Sequence, residues 1–225
     1  MLDLYRVSGA RGDRLIELGR TAQQRGWWDA YADTLSSGYS ALIALESDAE
    51  SERHYAAIMI PGLLQTERYA EVVTRSTMIM TPPGEITRIA TARMTRQKVL
   101  TRSKPLELVA VLDEAALRRQ VGGAGIMREQ LLHLVELARR PNVTIQVLPF
   151  SQGPHLAISG VFTLLQFPEA AASGVVFLQN MTSDLFIERE DEVYRYGLAF
   201  DRLLELALGP GESETFISHV AGEYK

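Results

Sequence analysis

Apolar residues recur at helical spacing along most of this chain, and the polar residues that interrupt those stripes say more than the stripes do. Residues 11 to 25 carry Leu15, Leu18, Gly19 and Ala22 on one face, and Gly26 stops that predicted helix before Trp27 and Trp28, a pair suited to wedging a corner of a core. The stretch 39 to 49 is again helical. Tyr39, Leu42 and Ile43 line its stripe, and the remaining position is Glu46, a carboxylate where a hydrophobe is expected. Pro82-Pro83-Gly84 breaks the chain and opens the longest predicted helix, about 85 to 102, whose apolar line runs through Ile86, Ile89, Ala90 and Leu100. Arg93 and Gln97 fall on that same 3.6-residue face.

Between these helices, residues 53 to 60 mix alternation with short apolar pairs. They end at Pro61-Gly62, so the backbone turns before Thr66, an N-cap for a helix over 67 to 76. Leu106 to Leu112 reads as a strand. Asp113 caps a short helix with Glu114, Leu117, Arg118 and Arg119, which Gly122, Gly123 and Gly125 end. A helix over 126 to 140 holds Met127, Leu131, Leu134 and Ala138 in register, and Pro141-Asn142 turns into the strand Val143 to Leu148, giving a β-α-α-β succession. Segments 161 to 167 and 174 to 179, with Leu185-Phe186-Ile187, suit a meander. Asp191 opens a helix with Val193, Tyr196, Phe200, Leu203, Leu204 and Ala207 inward, and Gly209-Pro210-Gly211 precedes a last helix with Phe216, Ile217 and Val220 inside. The expected fold is α+β: one helix-rich domain with a small mixed sheet of about four to five strands, a helical N-terminal part over 1 to 82 and an α+β part over 83 to 225.

Composition narrows the function classes. In 225 residues, 46% hydrophobic content with 23% charged allows a real core and argues against disorder. The formal net charge of −5 is wrong for a nucleic-acid coat, so any DNA contact has to be local. No cysteine is present, which removes disulfides, thiolate nucleophiles and Cys-ligated zinc, and suits a reducing cytoplasm. His54, His133, His155 and His219 lack metal-motif spacing, and neither a metal nor a cofactor is expected. No run approaches the roughly 20 apolar residues that a spanning helix needs.

Candidate chemistry begins with Arg93. A guanidinium on a core-facing line needs an opposite charge, and Glu46 is the expected partner, either as an ion pair tying two helices or at the edge of a pocket. In the pocket reading, Arg93 meets an anionic ligand among Glu46, Gln65 and Gln97. From Arg88 to Lys104 there are six basic residues and no acidic one, but without interleaved aromatics this reads as a solvated or docking face. Glu114, directly after a strand, is either a functional carboxylate or a helix N-terminal charge. His155 sits in the loop Phe150 to Gly160 as a ligand contact or a structural histidine. Ser159 lacks the GxSxG context of a nucleophile, and Asp113 with Glu114 makes no acid/base pair because neighbours point apart on a helix. Candidate ligand-binding residues are therefore Glu46, Gln65, Arg93, Gln97, Glu114 and His155, with none assigned to catalysis.

Several motifs together resemble one family: Pro61 to Thr66 with Tyr69-Ala70, Arg93 with Arg96-Gln97, Val111 to Arg119, Gln130-Leu131, Val143 to Phe150, then Gly153, His155, Gly160 and Phe162. They resemble the C-terminal DUF5753 domain of actinobacterial XRE-type helix-turn-helix regulators, also described as Scr1-like and antitoxin-type. In that family a DNA-binding helix-turn-helix precedes the segment matching Leu2-Asp3-Leu4-Tyr5, and no such pattern fits residues 1 to 25. The resemblance implies a cytoplasmic domain, without its own DNA reader, that senses a small molecule or a small partner protein as a homodimer. It implies no catalytic residue set. Where relatives often show a tyrosine and a glutamate near 177 to 179, this chain has Phe177-Leu178-Gln179. Two other readings stay open: an enzyme of secondary metabolism, for example a cyclase, recruited from this scaffold, and a partner that titrates full-length paralogues off DNA.

Overall fold

The computed structural model describes residues 26–77, 82–158, 160–168, 174–181 and 183–225. The helix expected over 11 to 25 lies outside them. Ser36 has an extended backbone and its hydroxyl accepts from Tyr39 N at 3.1 Å, starting α1 (Ser37–Asp48). Thr66 does the same for α2 (Glu67–Thr77), accepting from Tyr69 N at 3.3 Å. Pro83 occupies the first turn of α3 (Pro83–Arg96), where its missing N–H costs nothing. That helix ends sooner than its apolar line suggests, because the chain tightens into a 3-10 turn over Gln97–Leu100. Asp113 caps α4 (Glu114–Arg118) through Ala115 N at 2.8 Å, and α5 (Ala124–Leu137), α6 (Glu190–Leu206) and α7 (Pro210–Glu223) follow.

Six strands form one mixed sheet, not four to five: β1 (Ser51–Ala56), β2 (Glu107–Asp113), β3 (Val143–Leu148), β4 (Phe162–Gln166), β5 (Val175–Gln179) and β6 (Asp184–Ile187). The strand that sequence patterning missed is β1, which lies within the stretch read as a helical N-terminal part. Its inward positions include Glu52 and His54, so burial does not follow hydrophobicity and the period-2 signal is erased.

The spatial order is β3-β2-β1-β4-β5-β6. The first three strands run parallel, joined through pairs of helices, and the last three form the antiparallel meander, with β4 antiparallel to β1. One face packs Leu108, Ala110, Leu112, Ile145 and Val147 against α2, α5 and α7, and the opposite face packs Val111, Leu148, Leu164 and Val176 against α6. Each fully buried leucine in these layers contributes about 1.5–3 kcal/mol of transfer free energy. The outer edge of β3 is closed by the chain beyond α6: Leu208 N donates to Val147 O at 2.8 Å, and Val147 N donates to Ser213 Oγ at 2.9 Å. No described helix is long and apolar enough to cross a membrane. Strand order reverses beside β1, since β2 lies on one side of it and β4 on the other. Open sheets with parallel strands characteristically leave a ligand crevice at such a switch point.

Candidate functional site

A cavity of about 290 Å³ occupies that point. Alternation along β1 sends Glu52, His54 and Ala56 to one face, while α1 contributes Tyr39, Leu42 and Glu46 at helical spacing and α3 contributes Arg93 and Arg96. The cavity is mainly apolar, walled by Leu42, Ile58, Pro61, Val161, Phe162 and Phe177. Its polar wall is Tyr39, His54, Gln65, Arg93, Arg96, Thr163 and Gln179.

Behind the polar wall lies a buried charge cluster. Arg96 holds both oxygens of Glu46, with Nε donating to Oε2 at 2.5 Å and Nη2 to Oε1, and its Nη1 donates to the Tyr39 hydroxyl at 2.9 Å. Expectation had given Glu46 to Arg93, one turn earlier. Ile89, Ala92 and Arg96 are the buried side of α3, so it is Arg96 that faces α1, and Arg93 is turned toward the cavity. There Arg93 donates to Gln65 Oε1 at 3.4 Å and pairs with no carboxylate among the described residues. Gln65 is buried and donates to Ile60 O at 2.8 Å.

The pair Glu46 and Arg96 has a second carboxyl beside it. Glu52 is fully buried, its Oε1 lies 3.2 Å from His54 Nδ1, and its Oε2 has no hydrogen-bond partner among the described residues. Thr163 Oγ1 approaches the same His54 nitrogen at 3.0 Å. Burial pushes the Glu46 carboxyl up to about 7, against the pull of Arg96, and it raises Glu52 as well. Burial, reinforced by Arg96, takes His54 down to about 4. Two carboxyls sharing one guanidinium in a dry interior disfavour the state in which both are ionised.

The other predicted site residues lie apart from this cavity's wall. Gln97 is a clamp: its Nε2 donates to Gly62 O at 2.9 Å and to Gln65 O at 2.7 Å, pinning the Pro61 to Thr66 turn. Glu114 accepts from Arg118 Nε at 2.6 Å and from Phe150 N at 3.0 Å, joining α4 to the loop after β3. His155 stands on Tyr55, with Nε2 3.2 Å from the hydroxyl, on the α6 side of the sheet. The geometry thus brings Gln65 and Arg93 to the wall, with Glu46 behind it. Sequence reasoning missed Glu52, His54, Arg96, Thr163 and Gln179; the one available signal was a pair of titratable residues two apart in a short alternating segment. No group of three or more His, Asp or Glu residues among the described residues is placed to hold a metal ion.

A family model described as Domain of unknown function (DUF5753) matches residues 39–219, which include every residue of the cavity wall. The chain belongs to the DUF5753 family. No curated protein and no solved structure matches it. Phe177 and Gln179 of this DUF5753 domain both line the cavity.

Proposed function

We propose that this DUF5753 domain is the sensing half of an XRE-type transcriptional regulator and that it holds a small molecule in the cavity between β1, β4, β5, α1 and α3. The observation carrying the reading is the combination of an apolar cavity at a strand-order switch with Arg93, a cation on its wall that has no carboxylate partner among the described residues. In this reading the domain acts in the cytoplasm as a homodimer, and operator DNA is contacted by another module rather than by this chain. Ligand binding shifts an equilibrium between conformations that the DNA-binding module distinguishes.

The test is thermal unfolding in the presence of fractionated metabolite extract. A ligand that binds only the folded state at a hundred times its Kd stabilises by about 2.7 kcal/mol, enough for a clear rise in Tm. Val161→Trp fills the mouth of the cavity from a partly exposed position and is expected to abolish the rise. Stabilisation that persists in Val161→Trp, or no stabilising fraction at all, counts against the reading. The enzyme reading draws on His54 facing the cavity with a carboxyl behind it; conversion of the stabilising compound by the wild-type protein would favour it.

A further inference from the structure

His54 joins the cavity to the buried cluster. Nδ1 faces inward to Glu52 and Thr163, whereas Nε2 has no hydrogen-bond partner among the described residues and, on a residue that lines the cavity, opens into it. The side chain keeps 18% of its surface exposed there. The groups around this ring are Tyr39 and Glu46 from α1, Glu52 from β1, Thr163 from β4, Gln179 from β5, and Arg93 and Arg96 from α3. Arg96 is paired with Glu46, which leaves Arg93 as the wall cation without a carboxylate partner among the described residues.

We propose that the cavity takes a small organic acid with an apolar body, and that the buried Glu46 and Glu52 pair takes up a proton from solvent as the acid binds. This inference rests on the reading of the cavity as a ligand site. Arg93 supplies the charge-assisted contact for the carboxylate, and Leu42, Pro61 and Phe177 line the space for the apolar body. An anion at the wall adds negative charge close to two carboxyls that already share one guanidinium, which favours their protonated form. Hydrogen bonding works in the same direction. A proton on Glu52, donated to His54 Nδ1, places the ring proton on Nε2, and Nε2–H then donates to the acid. With Glu52 ionised, Nδ1 carries the proton and Nε2 offers only a lone pair, which repels a carboxylate.

Hexanoate and phenylacetate, each with its amide and its amine analogue, are suitable probes for the wild-type protein by 15N chemical-shift titration and calorimetry. The acids are expected to shift cavity resonances and to bind about tenfold or more tightly than their analogues, an advantage that Arg93→Gln removes. From about pH 6 to 8 their affinity falls with rising pH by at most about tenfold per unit, and calorimetry in buffers of different ionisation enthalpy reads proton uptake. The His54 15N shifts, assigned by their loss in His54→Gln, move from an Nε2 acceptor to an Nε2–H donor. Glu52→Gln shrinks the pH slope; should it fail to fold, the wild-type uptake measurement decides. Preference for an amide or amine, or an acid bound with no proton uptake, overturns this inference and leaves the ligand-site reading standing. A panel that shifts no cavity resonance at millimolar concentration overturns both.

Discussion

Arg96 is the residue on which the interior of this protein turns. It is only 5% exposed, and the carboxylate it holds on Glu46 is completely buried. Removing one member of such a pair leaves the other charge stranded, so Arg96→Ala is expected to cost about 3–5 kcal/mol in urea denaturation. Replacing both Glu46 and Arg96 by apolar residues of similar volume is expected to cost far less, because the stranded charge disappears with its partner. The cluster also sets a pH dependence with two opposing parts. Burial lifts folded Glu46 from 4.5 to about 7, so the stabilisation its proton brings is complete below about pH 4.5 and is lost as pH rises through 7. Glu52, raised likewise, adds the same sign. Burial lowers folded His54 from 6.5 to about 4, so the stabilisation from its neutral ring is complete above about pH 6.5 and is lost as pH falls through 4. Between about pH 4.5 and 6.5 the slope from His54 opposes the slope from the two carboxyls. In this window Glu46→Gln is expected to shift the slope of stability against pH in the positive direction relative to the wild type. His54→Gln is expected to shift it in the negative direction. Each change in slope is at most about 1.4 kcal/mol per pH unit, and denaturant midpoints across the range measure it.

Among the elements, the segment from Pro61 to Thr66 makes one 3-10 turn over Gly62–Leu64 and is fastened to its neighbours by glutamine side chains. Gln97 holds the carbonyls of Gly62 and Gln65, and Gln130, fully buried on α5, donates to Leu64 O at 2.7 Å and accepts from Thr66 N at 2.7 Å. Loss of a clamp leaves buried backbone groups unpaired, so Gln130→Ala is expected to cost about 1–3 kcal/mol and to raise amide exchange at Thr66 first. Gln97→Ala, only partly buried, is expected to sit at the lower end of that range. These roles explain why Gln97 drew notice in the sequence: a polar residue on an apolar face signals a buried demand for hydrogen bonds, but not whether a ligand or a neighbouring turn meets it. The same ambiguity governed Arg93 and Arg96. Helical periodicity placed a guanidinium in the interior, whereas choosing between residues three apart on the same side of α3 required knowing where the helix ends and which side α1 takes.

Across the whole molecule, legibility followed the match between hydrophobicity and burial. β3 was readable to the residue because Val143, Ile145 and Val147 alternate cleanly with polar neighbours, and Asp113 announced α4 through its cap. The central strand β1 was not, because it carries its chemistry inward, and the functional cluster and the missing strand were therefore a single oversight. Neither could the sequence show that Glu114 and His155 belong to other seams of the fold. The cavity itself has two unlike sides. Its inner side is fastened through α3, whose C-terminal end carries Arg93, Arg96 and Gln97, so wall, core and turn are bolted to one stub of helix and resist separate motion. Its outer side consists of Ile58, Met59 and Val161, which are 50%, 40% and 36% exposed while also touching the cavity. Under the proposed function, an occupant pressing on those three would alter the protein's skin directly, so that a full and an empty interior would differ at the surface without any rearrangement of the sheet.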